Sequence, residues 1–157
     1  MPTPFDPALV LSLPLMANLS TVSQGGEPRN SPVWFLWEED ILWMLSDIGS
    51  SSAQRLAETG AVAVEVVDYN NKDGILRHVG LRGFASVEQM NPALFKRLLR
   101  RYLGPEKDQN KWFIENVARV DDPSGRLIRL APDSIFTNDV SFFRTGPLVA
   151  RPSREAP

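Results

Sequence analysis

Short segments in which apolar and polar residues alternate recur along the chain, and this period of two predicts β-strands. The first segment is Met16–Val22, and the turn after it contains Gly25 and Gly26, which can take the positive φ of a tight hairpin. Further strands are predicted at 31–37, 41–46, 61–67, 75–87, 126–132 and 134–139. The pattern therefore predicts a sheet of several short strands and one long one.

The strands predicted at 31–37 and 41–46 are apolar on both alternating faces. In the first of them, Val33 and Phe35 lie on one face, while Trp34 and Leu36 lie on the other. Both faces must therefore be covered. In a small antiparallel sheet this indicates a closed or nearly closed barrel, whose outer wall is hidden by helices, by a second subunit or by a flat ligand.

Three segments have the spacing of amphipathic helices. Ser51 and Gln54 stand at capping-box spacing at the start of the first helix, and Gly60 stands where a left-handed C-terminal cap is needed. Asn91 caps the second helix and Pro92 opens it. The predicted helices span about 51–59, 92–102 and 108–117.

The order of these elements predicts a mainly β fold with a few helices. Four strands, the last of them preceded by a helix, are followed by a long strand, two helices and further strands, which is not a βαβ pattern. We expect an antiparallel barrel of six to eight strands with peripheral helices. The 157 residues are predicted to form one domain, with an irregular arm over about 1–13 and an irregular tail over about 146–157.

Composition is that of a globular protein, with 43% hydrophobic and 23% charged residues. The formal net charge of -2 gives no electrostatic reason to expect binding to nucleic acid or to an anionic membrane. The chain has no cysteine, which excludes disulfides and thiolate catalysis and fits a cytoplasmic location. The apolar stretch 8–16 is short and contains Pro14, so neither a signal peptide nor a membrane span is predicted.

Strong catalytic motifs are absent from the sequence, including G-x-S-x-G, G-x-x-x-x-G-K and G-x-G-x-x-G. His78 is the single histidine, which excludes a metal site built from several histidines. The acidic segment Glu38–Asp40 is interpreted as a solvated hairpin turn. No catalytic side chain and no metal ligand is predicted. Basic residues of the second helix are interpreted as its outer face: Lys96, Arg97, Arg100 and Arg101.

The junction "DIGSSSAQRL" (47–56) places Ser50, Ser51 and Ser52 at the start of the first helix. A helix N-terminus offers free amides and a positive dipole end, to which these hydroxyls add donors. The segment is therefore either a well-capped helix start or a cradle for a phosphate. The tryptophans Trp34, Trp37 and Trp43 are likewise compatible with a cofactor wall or with an ordinary core.

Three strings together resemble the FMN-binding split β-barrel family related to pyridoxamine 5'-phosphate oxidase. They are "TVSQGGEPRNSPVWF", "LWMLSDIGSSSAQRL" and "LRGFASV", and the resemblance covers roughly Leu15–Glu88. It implies a split barrel that forms a homodimer, with two FMN molecules in clefts between the subunits. It also implies a flavin-dependent oxidoreductase that acts on a small molecule.

The resemblance implies which residues contact the cofactor. The segment Asn30–Trp34 would line the isoalloxazine, the strand end and helix start would face the ribityl phosphate, and His78 would reach the cofactor from the long strand. The implied cofactor-binding residues are Asn30, Ser31, Pro32, Val33, Trp34, Ser46, Asp47, Ser50, Ser51, Ser52 and His78.

The chain departs from many relatives at Ser51 and Ser52, where they carry an arginine or a lysine. A neutral hydrogen bond in place of a charged one weakens phosphate binding by about 1 kcal/mol. Arg29, Arg77 and Arg82 are the candidates to replace the missing cation. The alternatives are a relative that uses deazaflavin or haem, and a ligand-sensing or interaction barrel with weak or no flavin binding. An oligonucleotide-binding barrel is disfavoured, because the strands are apolar and their turns acidic.

Overall fold

The computed structural model of the chain describes residues 4–104 and 111–142. The strands within these residues are β1 (Ala17–Val22), β2 (Pro28–Val33), β3 (Phe35–Glu38), β4 (Ile41–Asp47), β5 (Ala61–Asn70), β6 (Ile75–Gln89), β7 (Gly125–Leu130) and β8 (Ser134–Asp139). The helices are α1 (Ala8–Leu11), α2 (Ser51–Glu58), α3 (Pro92–Leu103) and α4 (Lys111–Val117). No helix in this part of the chain is long and apolar enough to cross a membrane.

The strands form an antiparallel sheet in the order β2-β1-β5-β6-β7-β4-β3, with β8 also paired to β6. The two ends of this order, β2 and β3, follow each other in the sequence, yet none of the described pairings joins them. The barrel is therefore split beside Trp34, the residue between β2 and β3. The predicted fold, an antiparallel split barrel of six to eight strands with peripheral helices, is confirmed.

Strand β6 belongs to both halves of the barrel. Its first part pairs with β5 on one edge and β8 on the other, so that His78 lies between Val67 and Asn138. Its last part pairs with β7, where Ala85 lies opposite Leu130. Its 15 residues make this double role possible, since most of its neighbours are less than half as long.

The core fills the barrel with the inward-facing residues of the period-two strands. Leu19, Val64 and Leu81 are at most 2% exposed, and the residues between them on each strand face outward. Burial of these apolar side chains is the main stabilising contribution to the fold. The outward residues of the same strands form a second surface, which carries His78 and Arg82.

Three predicted elements differ from the structure. The arm that was expected to be irregular contains the helical turn α1. The single strand predicted at 31–37 is two strands, because the chain leaves β2 at Trp34 and re-pairs with β4 from Phe35 onward. The capping box predicted at Ser51 is wrong by one residue: Ser50 is the N-cap, and its side chain accepts from the Ala53 amide. The predicted tail and residues 108–110 lie outside the described residues.

Two basic residues of α3 are not simply a solvated face. Arg97 forms a two-pronged ion pair with Glu38, with N–O distances of 2.8 and 2.9 Å, so Glu38 is not a free acid of the hairpin turn either. Arg101 donates to the carbonyl oxygens of Leu11, Ser12 and Leu13. These contacts fix α3 to the β3–β4 hairpin and to the end of α1.

Candidate functional site

The start of α2 orders a chain of serine hydroxyls. Ser50 has the extended backbone of an N-cap, and its Oγ lies 3.0 Å from Ser46 Oγ and 3.1 Å from Ser52 Oγ. Ser46 is on β4, so the hydroxyl chain ties the end of that strand to the helix. Ser51, the first residue of α2, is exposed and takes no part in this chain.

The β2–β3 break places Trp34 opposite the end of β4. The Leu45 amide donates to the Trp34 carbonyl at 3.1 Å, which holds the break against β4 although Trp34 lies in neither strand. The apolar side chains of Trp34 and Leu45 therefore lie beside the serines at the start of α2. The split in the barrel consequently has an apolar end and a hydroxyl-lined end.

A cavity of about 470 Å³ occupies this split. We call it the split cleft. Four of its lining residues are apolar and five of the other six are serines. The lining residues are Ser31, Pro32, Val33, Trp34, Leu45, Ser46, Asp47, Ser50, Ser51 and Ser52. Nine of these ten are residues that the sequence predicted to bind a cofactor, so the structure brings together most of the predicted set.

Charge in the split cleft is confined to Asp47 among the lining residues, and its carboxylate accepts from the Gly49 amide at 2.8 Å. Two nearby arginines are engaged with main-chain oxygens. Arg55 donates to the Glu27 carbonyl, and Arg126, opposite Ser46 on β7, donates to two carbonyls of its own turn. The lining of the cleft therefore offers neutral donors and no cation.

Asn30 and His78, the other two predicted residues, lie in a different place. They line a second cavity of about 420 Å³, here called the outer cavity, on the face of the sheet that points away from the core. Strand alternation explains the separation of Asn30 from its neighbours, because Asn30 faces outward while Ser31 pairs with the inward-facing Leu19. Within one subunit, the structure does not bring His78 to the split cleft.

The outer cavity surrounds His78 with polar groups. His78 Nδ1 lies 3.9 Å from a Glu65 carboxylate oxygen, and the imidazole packs at 5.5 Å against the ring of Phe136. Asn138 lies opposite His78 on β8, and its Oδ1 is buried without a hydrogen-bond partner among the described residues. Asn138 is not among the residues that line the cavity, so the polar contact shown for the His78 imidazole there is with Glu65.

The three arginines proposed to replace the missing cation have different environments. Arg77 is paired with Asp139 at 3.3 Å and lies 3.8 Å from Asp68. Burial raises the pKa of Asp139, but hydrogen bonds from Ser141 and Arg77 outweigh it and hold that pKa below its usual range. Arg77 is therefore committed to β8, whereas Arg82 lines the outer cavity and Arg29 is exposed on β2.

Sequence reasoning missed the residues that support the apolar end of the split cleft. Leu45 lines it directly. Trp34 stacks on Tyr102 of α3, with ring centroids 4.8 Å apart and 7° between planes, and its ring also lies 5.3 Å from Trp112 of α4. Behind these rings, buried Phe95, Leu99 and Phe113 form a second apolar cluster. The apolar stripe of α3 could be recognised in the sequence, but its contact with Trp34 could not.

The chain is similar to known proteins both in sequence and in structure. A sequence model described as pyridoxamine 5'-phosphate oxidase matches residues 8–139. No curated protein sequence matches the chain. Several solved structures do, and because those described next are less than 25% identical, their likeness concerns the fold.

A conserved hypothetical protein from Mycobacterium tuberculosis is 19% identical, with a TM-score of 0.68 over 87% of this chain and 86% of its own. An F420 reductase is 23% identical, with a TM-score of 0.64 over 85% of this chain and 98% of its own. The haem storage protein HutZ from Vibrio cholerae is 14% identical, with a TM-score of 0.65 over 85% of this chain and 92% of its own.

Proposed function

The chain belongs to the pyridoxamine 5'-phosphate oxidase family, and from this premise we propose that it binds FMN in the split cleft and acts as a flavin-dependent oxidoreductase on a small molecule. One observation carries the proposal: an apolar end at Trp34 and a hydroxyl-rich end at the start of α2 meet in one cavity. This polarity matches a ligand with a flat ring at one end and a phosphate at the other.

The residues of the split cleft fit FMN in size and in chemistry. Its volume of about 470 Å³ is typical of a small-molecule site. At the polar end, the free amides of the first turn of α2 and the exposed Ser51 hydroxyl are suited to a phosphate. At the apolar end, Pro32, Val33 and Trp34 are suited to the isoalloxazine.

When bound, FMN would supply the hydride or electron transfer. The chain's own residues would bind and orient the cofactor. The hydrogen-bonded chain of Ser46, Ser50 and Ser52 fixes the polar end, since each hydroxyl restricts the next. The apolar cluster behind Trp34 and Leu45 would hold the opposite end in place. In this arrangement no side chain of the cleft has to act as a nucleophile.

We also propose a homodimer that uses the outward face of the sheet. Five exposed apolar residues share this face, as the strand register requires: Val67, Tyr69, Leu76, Phe84 and Phe136. Three of them are aromatic and at least 53% exposed. An apolar patch of this extent is typical of a protein interface.

The proposed dimer would give Asn30 and His78 access to a cofactor. Both residues line the outer cavity of their own subunit and not its split cleft. In an assembly with two-fold symmetry, each subunit presents its outward face to the other. With an interface that extends from the outward face to the split cleft, Asn30 and His78 of one subunit would approach the FMN held by its partner, as the family resemblance implies.

Titration of the purified apoprotein with FMN, followed by flavin absorbance, tests the proposed function. We expect saturable binding of one FMN per chain. Trp34→Phe should weaken FMN binding, because it shrinks the apolar wall, while Trp43→Phe is a matched control outside the cleft. A wild-type protein that does not bind FMN at high concentration would refute the proposal.

A second candidate is a related cofactor or ligand held by the same cleft. The absence of a cation among the residues that line the split cleft is the observation that favours it, because FMN phosphate would gain no charge-assisted hydrogen bond there. Structural neighbours include an F420 reductase and a haem storage protein. Tighter binding of F420 or of haem than of FMN would favour this reading, and weak binding of all three would favour a ligand-sensing or interaction role.

A further inference from the structure

Trp34 and Trp112 form a corner beside the apolar end of the split cleft, here called the aromatic corner. One face of the Trp34 ring is covered by Tyr102, which lies nearly parallel to it. Trp112 meets Trp34 at an angle of 51° with ring centroids 5.3 Å apart, so the two indoles are in tilted contact instead of stacking. Trp34 lines the cleft, and the Trp112 side chain is 58% exposed next to it.

The exposed position of Trp112 is fixed by its neighbour in the sequence. Phe113 is 1% exposed and is part of the apolar cluster between α3 and α4. Consecutive residues of a helix point about 100° apart, so anchoring Phe113 inward directs Trp112 sideways. On the other side, the Tyr102 hydroxyl donates to the Leu15 carbonyl and accepts from the Phe35 amide. Both walls of the aromatic corner therefore rest on buried, hydrogen-bonded structure.

The residues that line the split cleft offer no cation to an anionic ligand at the aromatic corner. Asp47 is the ionisable residue among those that line the split cleft. Lys111, which precedes Trp112, is 90% exposed and lies 3.8 Å from the Glu115 carboxylate. A phosphate or carboxylate on a ligand at this end would lose hydration without meeting an unpaired cation of the cleft lining, which is unfavourable. A neutral ring would lose little hydration and would cover two indoles.

We infer that the aromatic corner is the substrate subsite, and that it selects neutral, planar aromatic compounds over phosphorylated or carboxylated ones. The inference rests on the proposed function, since it assumes that the cofactor occupies the split cleft. With the ring system of the cofactor along Pro32–Trp34, a flat substrate enters beside it and is held by the Trp112 indole. Trp112 is then a specificity-determining residue supplied by α4.

Binding of two inert probes of the same shape tests the inference. Naphthalene-2-carboxamide is neutral and naphthalene-2-carboxylate is its anionic counterpart, and each is measured by equilibrium dialysis against the FMN-loaded protein. We expect saturable binding of the carboxamide, at least about tenfold tighter than that of the carboxylate, which corresponds to one lost polar interaction. Equal binding of the two probes, or tighter binding of the carboxylate, overturns the inference.

Substitutions of α4 assign the effect to Trp112. Trp112→Ala should weaken carboxamide binding by about five- to tenfold, the size of one aromatic contact, and Trp112→Phe should retain most of it. The matched control is Ile114→Ala, which removes another exposed apolar side chain, 52% exposed, from the same helix and should leave probe binding unchanged. FMN affinity should be the same in all four proteins, because neither residue lines the split cleft.

The two proposals fail in different ways. Unchanged carboxamide binding by Trp112→Ala, with normal FMN binding, overturns the subsite and leaves the proposed function standing. A wild-type protein that does not bind FMN overturns the proposed function and the subsite with it.

Discussion

At the scale of single residues, the serines of α2 divide into two roles. Ser50 and Ser52 are committed to each other and to the helix cap, while Ser51 is exposed at the first helical position and lines the split cleft. Ser51 is therefore the position at which a side chain can change without breaking the hydroxyl chain. A longer cationic side chain there would extend from the helix start toward the polar end of the cleft.

Substitution of Ser51 by arginine is predicted to tighten FMN binding by about five- to tenfold, because a charged hydrogen bond to phosphate is worth about 1 kcal/mol more than a neutral one. In the apoprotein the same cation opposes the helix dipole and should lower stability by about 0.3–1 kcal/mol. Fluorescence titration measures the affinity. Riboflavin, which lacks the phosphate, is the control and should bind Ser51→Arg and wild type equally. Equal FMN affinity in the two proteins would remove the phosphate from this helix start.

The family resemblance implied most of the residues of this site, and sequence reasoning failed where contacts are distant in sequence. Ser50–Ser52 lie at a clear helix start, and Ser31–Val33 lie in a predicted strand. The elements that carry these residues could therefore be predicted. The N-cap is Ser50 and not Ser51, because Ser50 is the residue with the extended backbone. Both neighbours are serines, so the sequence does not show which of them takes this conformation. The partnership of Trp34 with Tyr102 and Trp112 could not be read from the sequence, because it depends on how α3 and α4 pack across the break.

At the scale of elements, α3 is fixed to the barrel through the hydroxyl of Tyr102. That oxygen lies 2.7 Å from the Leu15 carbonyl and 3.0 Å from the Phe35 amide, so it bridges the arm and the first residue of β3. The ring of the same residue supports Trp34. One side chain thus connects α3, the arm and the wall of the split cleft.

Removal of this hydroxyl in Tyr102→Phe is predicted to destabilise the protein by about 1–3 kcal/mol, because a part-buried amide and a carbonyl lose their partner. The melting temperature should fall by roughly 2–4 °C for each of these kcal/mol. The aromatic ring is kept, so FMN affinity should change little. Equal melting temperatures for Tyr102→Phe and wild type would contradict the bridging role.

At the scale of the whole molecule, strand β2 contributes residues to both cavities. Asn30 belongs to the outer cavity and Ser31 to the split cleft, although they are consecutive. A subunit that presented both cavities to a second copy would complete each split cleft with groups from the other chain. FMN affinity should therefore depend on dimer formation as well as on the residues that line the split cleft.

Introduction of a charge on the outward face, in Phe136→Glu, is predicted to convert the proposed dimer into a monomer. Phe136 is 53% exposed and packs against His78, and a glutamate there would bring a charged carboxylate into an apolar interface, where its loss of hydration is unfavourable. Sedimentation velocity measures the change, and FMN affinity should fall with it. Ile114→Glu, on α4, is the control and should remain dimeric. A monomeric wild type, or a dimeric Phe136→Glu, would contradict the proposed interface.

The contacts of Arg101 set an order of events during synthesis. Its guanidinium holds the carbonyls of Leu11, Ser12 and Leu13, which precede it by 88 to 90 residues. A ribosome that adds about 5–20 residues per second needs roughly 5–20 s to make that span. For this time the arm has been translated but lacks the side chain that binds it. The segment around Leu11–Leu13 consequently gains these three hydrogen bonds only after α3 has been made.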